Sequence, residues 1–195
     1  MEPKNNNEWN LVKQACSGDR DAFREIVENN KKKIFYLAFD LTGSKQDAED
    51  LSQEVFIKAF CSLDKFKGNA SLNTWLYRIT LNAFIDQKRK KSVLKYSRDW
   101  ECGPTYDESP YSGNPETYAE SQQIQQHVEQ ALRQLTPRER SVFVLRHYRG
   151  MAGKEVAELL KISQGTVKSL IFRAVKKLRK ELSFYRSNPV KEVNP

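Results

Sequence analysis

The segment between Gln164 and Leu182 carries the residues with the clearest chemistry. Val167, Leu170, Ile171, Ala174, Leu178 and Leu182 recur at the 3.6-residue period of a helix, leaving Lys168, Ser169, Phe172, Arg173, Lys176, Lys177 and Lys180 on the outer face. A helix fits the major groove of duplex DNA, where arginine bonds bidentately to guanine and serine or lysine reaches base edges and phosphates. Gly165 and Thr166, at the start of that helix, offer backbone N–H groups to a phosphate. Phe172, central on a basic face, suits a thymine methyl better than bulk water. The plainer reading is an amphipathic helix with a lysine-rich solvated face.

A second constellation lies upstream. Arg78, Asn82 and Arg89 stand at i, i+4 and i+11, predicting one exposed ridge beside Tyr77, and Lys88-Arg89-Lys90-Lys91 closes the segment. Aromatic rings, an amide and cations together supply what an unpaired strand needs: stacking, base-edge donors and phosphate contacts. The plainer reading makes Trp75 and Phe84 core residues and the basic run a helix-end cluster that suits the dipole. A third stripe, Asp50, Gln53, Glu54 and Ile57 at i, i+3, i+4 and i+7, is acidic and partly apolar. It suits a protein partner better than DNA, although an ordinary solvated face has the same pattern.

The elements that must position these residues are helical throughout, with no convincing alternating strand. A first helix is predicted over residues 8–17, stopping at Gly18, and Asp19 caps a second over Arg20–Thr42 that ends at Gly43. Ser44 caps a third, whose inward stripe is Ala48, Leu51, Val55 and Ala59, with Asp47 as a weaker capping-box partner. After the Lys67-Gly68-Asn69 loop, Ser71 caps a fourth helix to about Lys90, burying Leu72, Trp75, Leu76, Ile79 and Ala83. Four helices joined by short loops make a compact bundle.

Residues 96–115 hold three prolines and two glycines in an acidic, polar stretch, and they read as a linker. Helical periodicity returns over residues 116–134. Thr136-Pro137-Arg138-Glu139 then combines a threonine cap, a proline at the first helical position and a glutamate to close the capping box. That helix carries Val142, Leu145 and Tyr148 to Gly150. A short helix over residues 154–160, with Val156, Ala157 and Leu160 inward, leads through Lys161-Ile162-Ser163 into the Gln164 segment. Ser163 is its cap, and Ile162 with Val167 forms a hydrophobic staple.

Charge follows this division. Lysine and arginine number 33 against 25 acidic residues, a formal charge of +8, which suits a polyanion. The excess is concentrated: Lys67, Arg78 and the Lys88–Lys91 run outweigh Asp86, and Lys168, Arg173, Lys176, Lys177, Arg179 and Lys180 outweigh Glu181. Between Tyr96 and Ser121, Asp99, Glu101, Asp107, Glu108, Glu116 and Glu120 face Arg98 alone. Two basic surfaces across an acidic joint predict two nucleic-acid contacts on separate domains. Cys16, Cys61 and Cys102 lie far apart without metal-ligand spacing, so neither a zinc site nor a disulfide framework is expected, and no cofactor. No apolar run approaches 18 residues and the N-terminus has no apolar signal core, which predicts a cytoplasmic protein. No nucleophile–base pair or phosphate-cradling loop points to an enzyme or to a small-molecule substrate. A helix-turn-helix repressor or activator and an RNA-binding protein share parts of this pattern.

Residues 47–90, DAEDLSQEVFIKAFCSLDKFKGNASLNTWLYRITLNAFIDQKRK, closely resemble the second conserved region of extracytoplasmic-function (ECF) sigma factors, promoter-specificity subunits of bacterial RNA polymerase in the sigma-70 family. Residues 135–182, LTPRERSVFVLRHYRGMAGKEVAELLKISQGTVKSLIFRAVKKLRKEL, resemble their fourth region, and Gly18-Asp19-x-x-Ala22-Phe23 matches their opening. The resemblance implies an all-α chain: a sigma-2 bundle over residues 8–94, an extended linker over 95–115 and a sigma-4 helix-turn-helix domain over 116–185. It implies that Asp50, Gln53, Glu54, Ile57 and Lys58 dock on the coiled coil of the polymerase largest subunit, with the flap as a further contact. Phe66, Lys67, Gly68, Asn69, Ala70, Ser71 and Leu72 correspond to the loop that captures a flipped base of the −10 element. Asn82 matches the asparagine that contacts the melted strand, flanked by Trp75, Tyr77, Arg78 and Arg89. Gly165, Thr166, Lys168, Ser169, Phe172, Arg173 and Lys176 would engage the −35 element. The resemblance also implies promoter DNA and an anti-sigma protein, often membrane-bound, as partners, and a stress-response role. Two positions depart from the pattern: Leu170 stands where many relatives are basic, and Met151-Ala152-Gly153 replaces a Leu-Ser start, removing a helix cap worth about 1 kcal/mol.

Overall fold

The computed structural model describes residues 6–95 and 115–187. The expected linker lies almost wholly outside them. The described residues form α1 (Asn6–Cys16), α2 (Arg20–Thr42), α3 (Lys45–Ser62), α4 (Leu72–Lys95), α5 (Pro115–Arg133), α6 (Pro137–Phe143), α7 (Gly153–Leu160), α8 (Gln164–Glu181) and α9 (Ser183–Ser187), with no strand among them. They divide into two compact units, one built on α1 to α4 together with Leu159–Lys161, the other on the rest of α5 to α9. No described helix is long and apolar enough to cross a membrane.

In the first unit α2 is the hub, packing on α1, α3 and α4, while α3 also packs on α4. The Asp19 carboxylate accepts the Asp21 and Ala22 N–H groups, and Gly43 ends the helix at φ 72°, in the left-handed region that glycine enters without steric cost. Ser44 Oγ accepts the Asp47 N–H and starts α3. Ile34, Leu37 and Leu41 of α2, Leu51 and Val55 of α3, and Leu76 and Phe84 of α4 are fully buried. Each such side chain contributes about 1.5–3 kcal/mol by leaving water. The fourth helix differs from expectation in two respects. It runs on to Lys95, and its buried stripe centres on Leu76, Thr80, Ala83 and Phe84, with Trp75 and Ile79 only half-buried. Thr80 enters the core because its hydroxyl donates to the Leu76 carbonyl at 2.9 Å and is thereby satisfied.

In the second unit α8 packs on α5 and α6. Leu132, Leu135 and Ala174 form a buried cluster with Val128, Phe143 and Leu178 against it. The Thr136 capping box is complete: Thr136 Oγ1 accepts the Glu139 N–H and Glu139 Oε2 accepts the Thr136 N–H. The helix it starts does not continue regularly to Gly150. After Phe143 the backbone widens into a π-turn over Val144–Tyr148, with Arg149 N–H donating to the Val144 carbonyl. Val142 and Leu145 are buried as expected, but Tyr148 is 46 % exposed. In α7, Val156 and Ala157 are buried, and Leu159 takes the buried place expected of Leu160. The final α9 was not foreseen; there Tyr185 OH lies 2.7 Å from His127 Nδ1 of α5.

Candidate nucleic-acid interface

α7 and α8 are joined by a tight turn. Lys161 adopts φ 54°, and the Ile162 N–H donates to the Ala157 carbonyl at 3.0 Å, closing a Schellman end on α7. Ser163 then caps α8, its Oγ accepting the Thr166 N–H at 3.0 Å and lying 2.9 Å from Thr166 Oγ1. The Thr166 N–H is therefore engaged by the cap and not open to a phosphate. That role passes to the first two helical positions, Gln164 and Gly165, whose N–H groups have no intrahelical acceptor. At the start of α7, where a cap was expected to be missing, Glu155 Oε2 accepts the Ala152 N–H at 2.6 Å and supplies the reciprocal half of a capping box.

The outer face of α8 is nearly as the period demands. Lys168, Ser169, Arg173, Lys176 and Lys180 are exposed, and Phe172 is 71 % exposed. Leu170 is buried with Val167 and Ala174, so it serves the core. Lys177 is the exception. It borders the Leu170–Ala174 edge and its ammonium reaches inward to the buried Glu139 carboxylate at 2.7 Å. Burial pushes that carboxyl up, but bonds from Lys177 and from the Thr136 N–H and hydroxyl outweigh it and hold the carboxyl below its ordinary value. Arg140, also buried, bonds Glu129 of α5 at 3.0 Å. Neighbouring residues of α6 thus tie it to α8 and to α5.

In the first unit the segment before α4 is an aromatic nest. Phe66 lies 5.4 Å from Trp75 and 5.9 Å from Trp9 of α1, all three rings half-buried. Phe66 and Trp75 accordingly have partners within the protein as well as a wet edge. Gly68, at φ 69°, sits against the Trp9 ring. Lys67 and Asn69 are exposed. Ser71 Oγ accepts the Thr74 N–H at 3.1 Å and lies 2.8 Å from Thr74 Oγ1, starting α4 with the same cap as α8. Along α4, Asn82 and Arg89 are exposed while Tyr77 and Arg78 are half-buried, so the expected ridge is only partly open. Arg89 pairs with Asp86 at 3.2 Å.

On α3, Asp50 and Gln53 are exposed and Ile57 is 65 % exposed. Glu54 is not a free anion: Lys58 contacts it at 2.5 Å, and Gln87 of α4 donates to it at 2.6 Å. Partial burial raises its carboxyl, yet those bonds and the charges of Lys58 and Lys90 leave it below its ordinary value. The sequence reading missed Phe60, 59 % exposed and edge-on to Phe23 at 5.0 Å, which extends the apolar row of Ile57. It also missed a groove between α2 and α3 lined by Phe35, Tyr36, Gln53 and Phe56 and rimmed by Lys31 and Lys32. The signal was available: Phe56 and Phe60 are apolar residues in excess of the buried stripe.

Residues 26–93 match Sigma-70 region 2, and residues 131–180 match Sigma-70, region 4. The chain is 37 % identical over 177 residues to the ECF RNA polymerase sigma factor SigW of Bacillus subtilis (strain 168), covering 88 % of this chain and 94 % of that one. It belongs to the ECF sigma factors. The sigma-E factor of Escherichia coli K12 is 32 % identical over 172 residues, covering 84 % and 88 %. Among solved structures, CnrH in complex with the cytosolic domain of CnrY aligns with TM-score 0.61 at 26 % identity, over 89 % of this sigma factor and 96 % of that chain. RpoE of Bartonella quintana, solved with the anti-sigma factor NepR, shares the fold at TM-score 0.64 and 24 % identity, covering 83 % and 96 %. Sigma-70 regions 2 and 4 recognise the −10 and −35 promoter elements, and this sigma factor directs promoter-specific initiation by RNA polymerase.

Proposed function

We propose a division of that work along the chain. Residues 8–94 dock on core polymerase and trap the melted −10 strand, 95–115 bridge, and 116–185 read the −35 duplex. In the first part, Asp50, Gln53, Ile57 and Phe60 meet the largest-subunit coiled coil, while Glu54 and Lys58 brace α3 against α4 beside them. Lys67, Asn69, Asn82 and Arg89 contact the unpaired strand next to the Phe66–Trp75 rings. In the second, Lys168, Ser169, Phe172 and Arg173 address base edges, and Gly165 and Lys176 address phosphates. Binding drives the step: capture of an unstacked base offsets the few kcal/mol of unstacking, without a catalytic act by this subunit. The work is cytoplasmic, and an anti-sigma protein that covers the docking surfaces restrains it, as the complexes of CnrH and RpoE with their partners suggest.

The observation that carries this reading is the exposed apolar row of Ile57 and Phe60 in the same unit as the strand-capture nest. DNA has no use for that row, and a helix-turn-helix repressor has no need of it; a protein partner does. Reconstituted run-off transcription tests it. Core polymerase is expected to initiate at a specific promoter only when this protein is added. Tight duplex binding without programming of core polymerase would refute it.

A further inference from the structure

Trp9 lies outside both matched regions, on the first turns of α1, yet it touches the −10 loop at two points. Its ring is 5.9 Å from Phe66, which in turn is 5.4 Å from Trp75. A Cβ built on Gly68 would come within 3.1 Å of Trp9 Cζ3, so the loop backbone rests on the indole face. Lys13, one turn along α1, holds its ammonium 5.5 Å from the same ring. Gly68 meets two constraints at once: a left-handed φ of 69° and contact with a flat ring. A flat aromatic surface is what permits a backbone to pass so closely.

We infer that Trp9 is a positioning residue for base capture: it is the floor that fixes the loop of Phe66 to Ser71 in its capturing shape. It acts through Gly68 and Phe66 and need not touch DNA itself. The inference rests on the proposed −10 role of that loop. Without the indole, Gly68 and Phe66 lose their support, the loop samples several shapes, and selection among bases weakens while docking and −35 contacts persist.

The test uses the full chain bound to core polymerase and fork-junction DNA carrying a −35 duplex and an unpaired −10 strand, with each of the four bases at the captured position. Trp9→Ala is expected to reduce discrimination among the four bases about ten-fold, within the range that stacking contacts support. Affinity for core polymerase and for −35 duplex should hold, and Trp9→Phe should restore most of the discrimination. Gly68→Ala should impair discrimination in the native background and cost less when combined with Trp9→Ala, since the added Cβ then has room. A Trp9→Ala protein that melts earlier yet discriminates like the native chain overturns the inference, as do additive effects of the two substitutions. If the native chain itself shows no base preference on the unpaired strand, the −10 reading fails and takes the inference with it.

Discussion

Replacing Lys177 by methionine removes an ammonium while keeping the aliphatic stem. Its partner, the Glu139 side chain, is 4 % exposed and Lys177 is 40 % exposed, so the pair stands between a buried bridge and a surface one. Truncating one partner of a buried pair costs about 3–5 kcal/mol, and exposed pairs contribute about 0–1 kcal/mol. Water at the Lys177 end screens the interaction, which brings the expected cost to about 2 kcal/mol. At ordinary denaturant sensitivities that is a shift of about 1 M in the urea midpoint. The protein supplies its own control. Trp9 and Trp75 lie in the first unit, so in a Trp100→Phe background tryptophan fluorescence follows that unit while far-ultraviolet circular dichroism follows both. Lys177→Met should shift the dichroism transition and leave the fluorescence transition in place. The Glu139 carboxyl is held below its ordinary 4.5, so the pair's contribution is complete above about pH 4.5 and is lost as pH falls through the lower folded value. The variant should accordingly lose less stability than the native chain on acidification. A cycle with Glu139→Gln showing coupling within about 0.3 kcal/mol of zero would refute the argument.

Lys176 and Lys177 are sequence neighbours with opposite roles: Lys176→Ala should lower the salt slope of −35 duplex binding by about 1, and Lys177→Ala should leave it unchanged, as read by fluorescence anisotropy between 50 and 200 mM salt. Ile57→Asp with Phe60→Asp should abolish core-polymerase capture in a pull-down at a cost of only about 1 kcal/mol in stability, because both side chains are mostly exposed and only the edge contact of Phe60 with Phe23 is lost. Ser163→Ala should lower stability by about 1 kcal/mol in the dichroism transition, the usual cost of a lost N-cap.

Elements governed by local rules were legible in the sequence. The Asp19, Ser44, Ser163 and Thr136 caps, the Gly43 stop and the α3 stripe depend on neighbours a few residues away, and each stands where the residue types put it. What escaped depends on distant partners. Lys177 reads as outward because it is a lysine, but Glu139, 38 residues earlier, pulls it in. Trp9 carries no periodic signal, since its importance comes from a loop nearly sixty residues on. The π-turn at Val144–Tyr148 left no mark either, because the apolar spacing of Val142 and Leu145 is compatible with a regular helix. On the α3 stripe Asp50, Gln53 and Ile57 are exposed, but one-helix patterns do not show that Gln87 of α4 engages Glu54.

Both helices assigned to DNA begin with the same four-residue clasp, Ser71 to Thr74 and Ser163 to Thr166, hydroxyl against hydroxyl. The first turn of a helix is its hardest to nucleate, because several dihedrals are fixed before any ladder bond repays them. Closing that turn with a side-chain pair means the ordering is complete before a promoter is met. Encounter then proceeds between rigid surfaces, at a rate governed by diffusion and charge, and none of the contact energy is diverted to folding the helix ends.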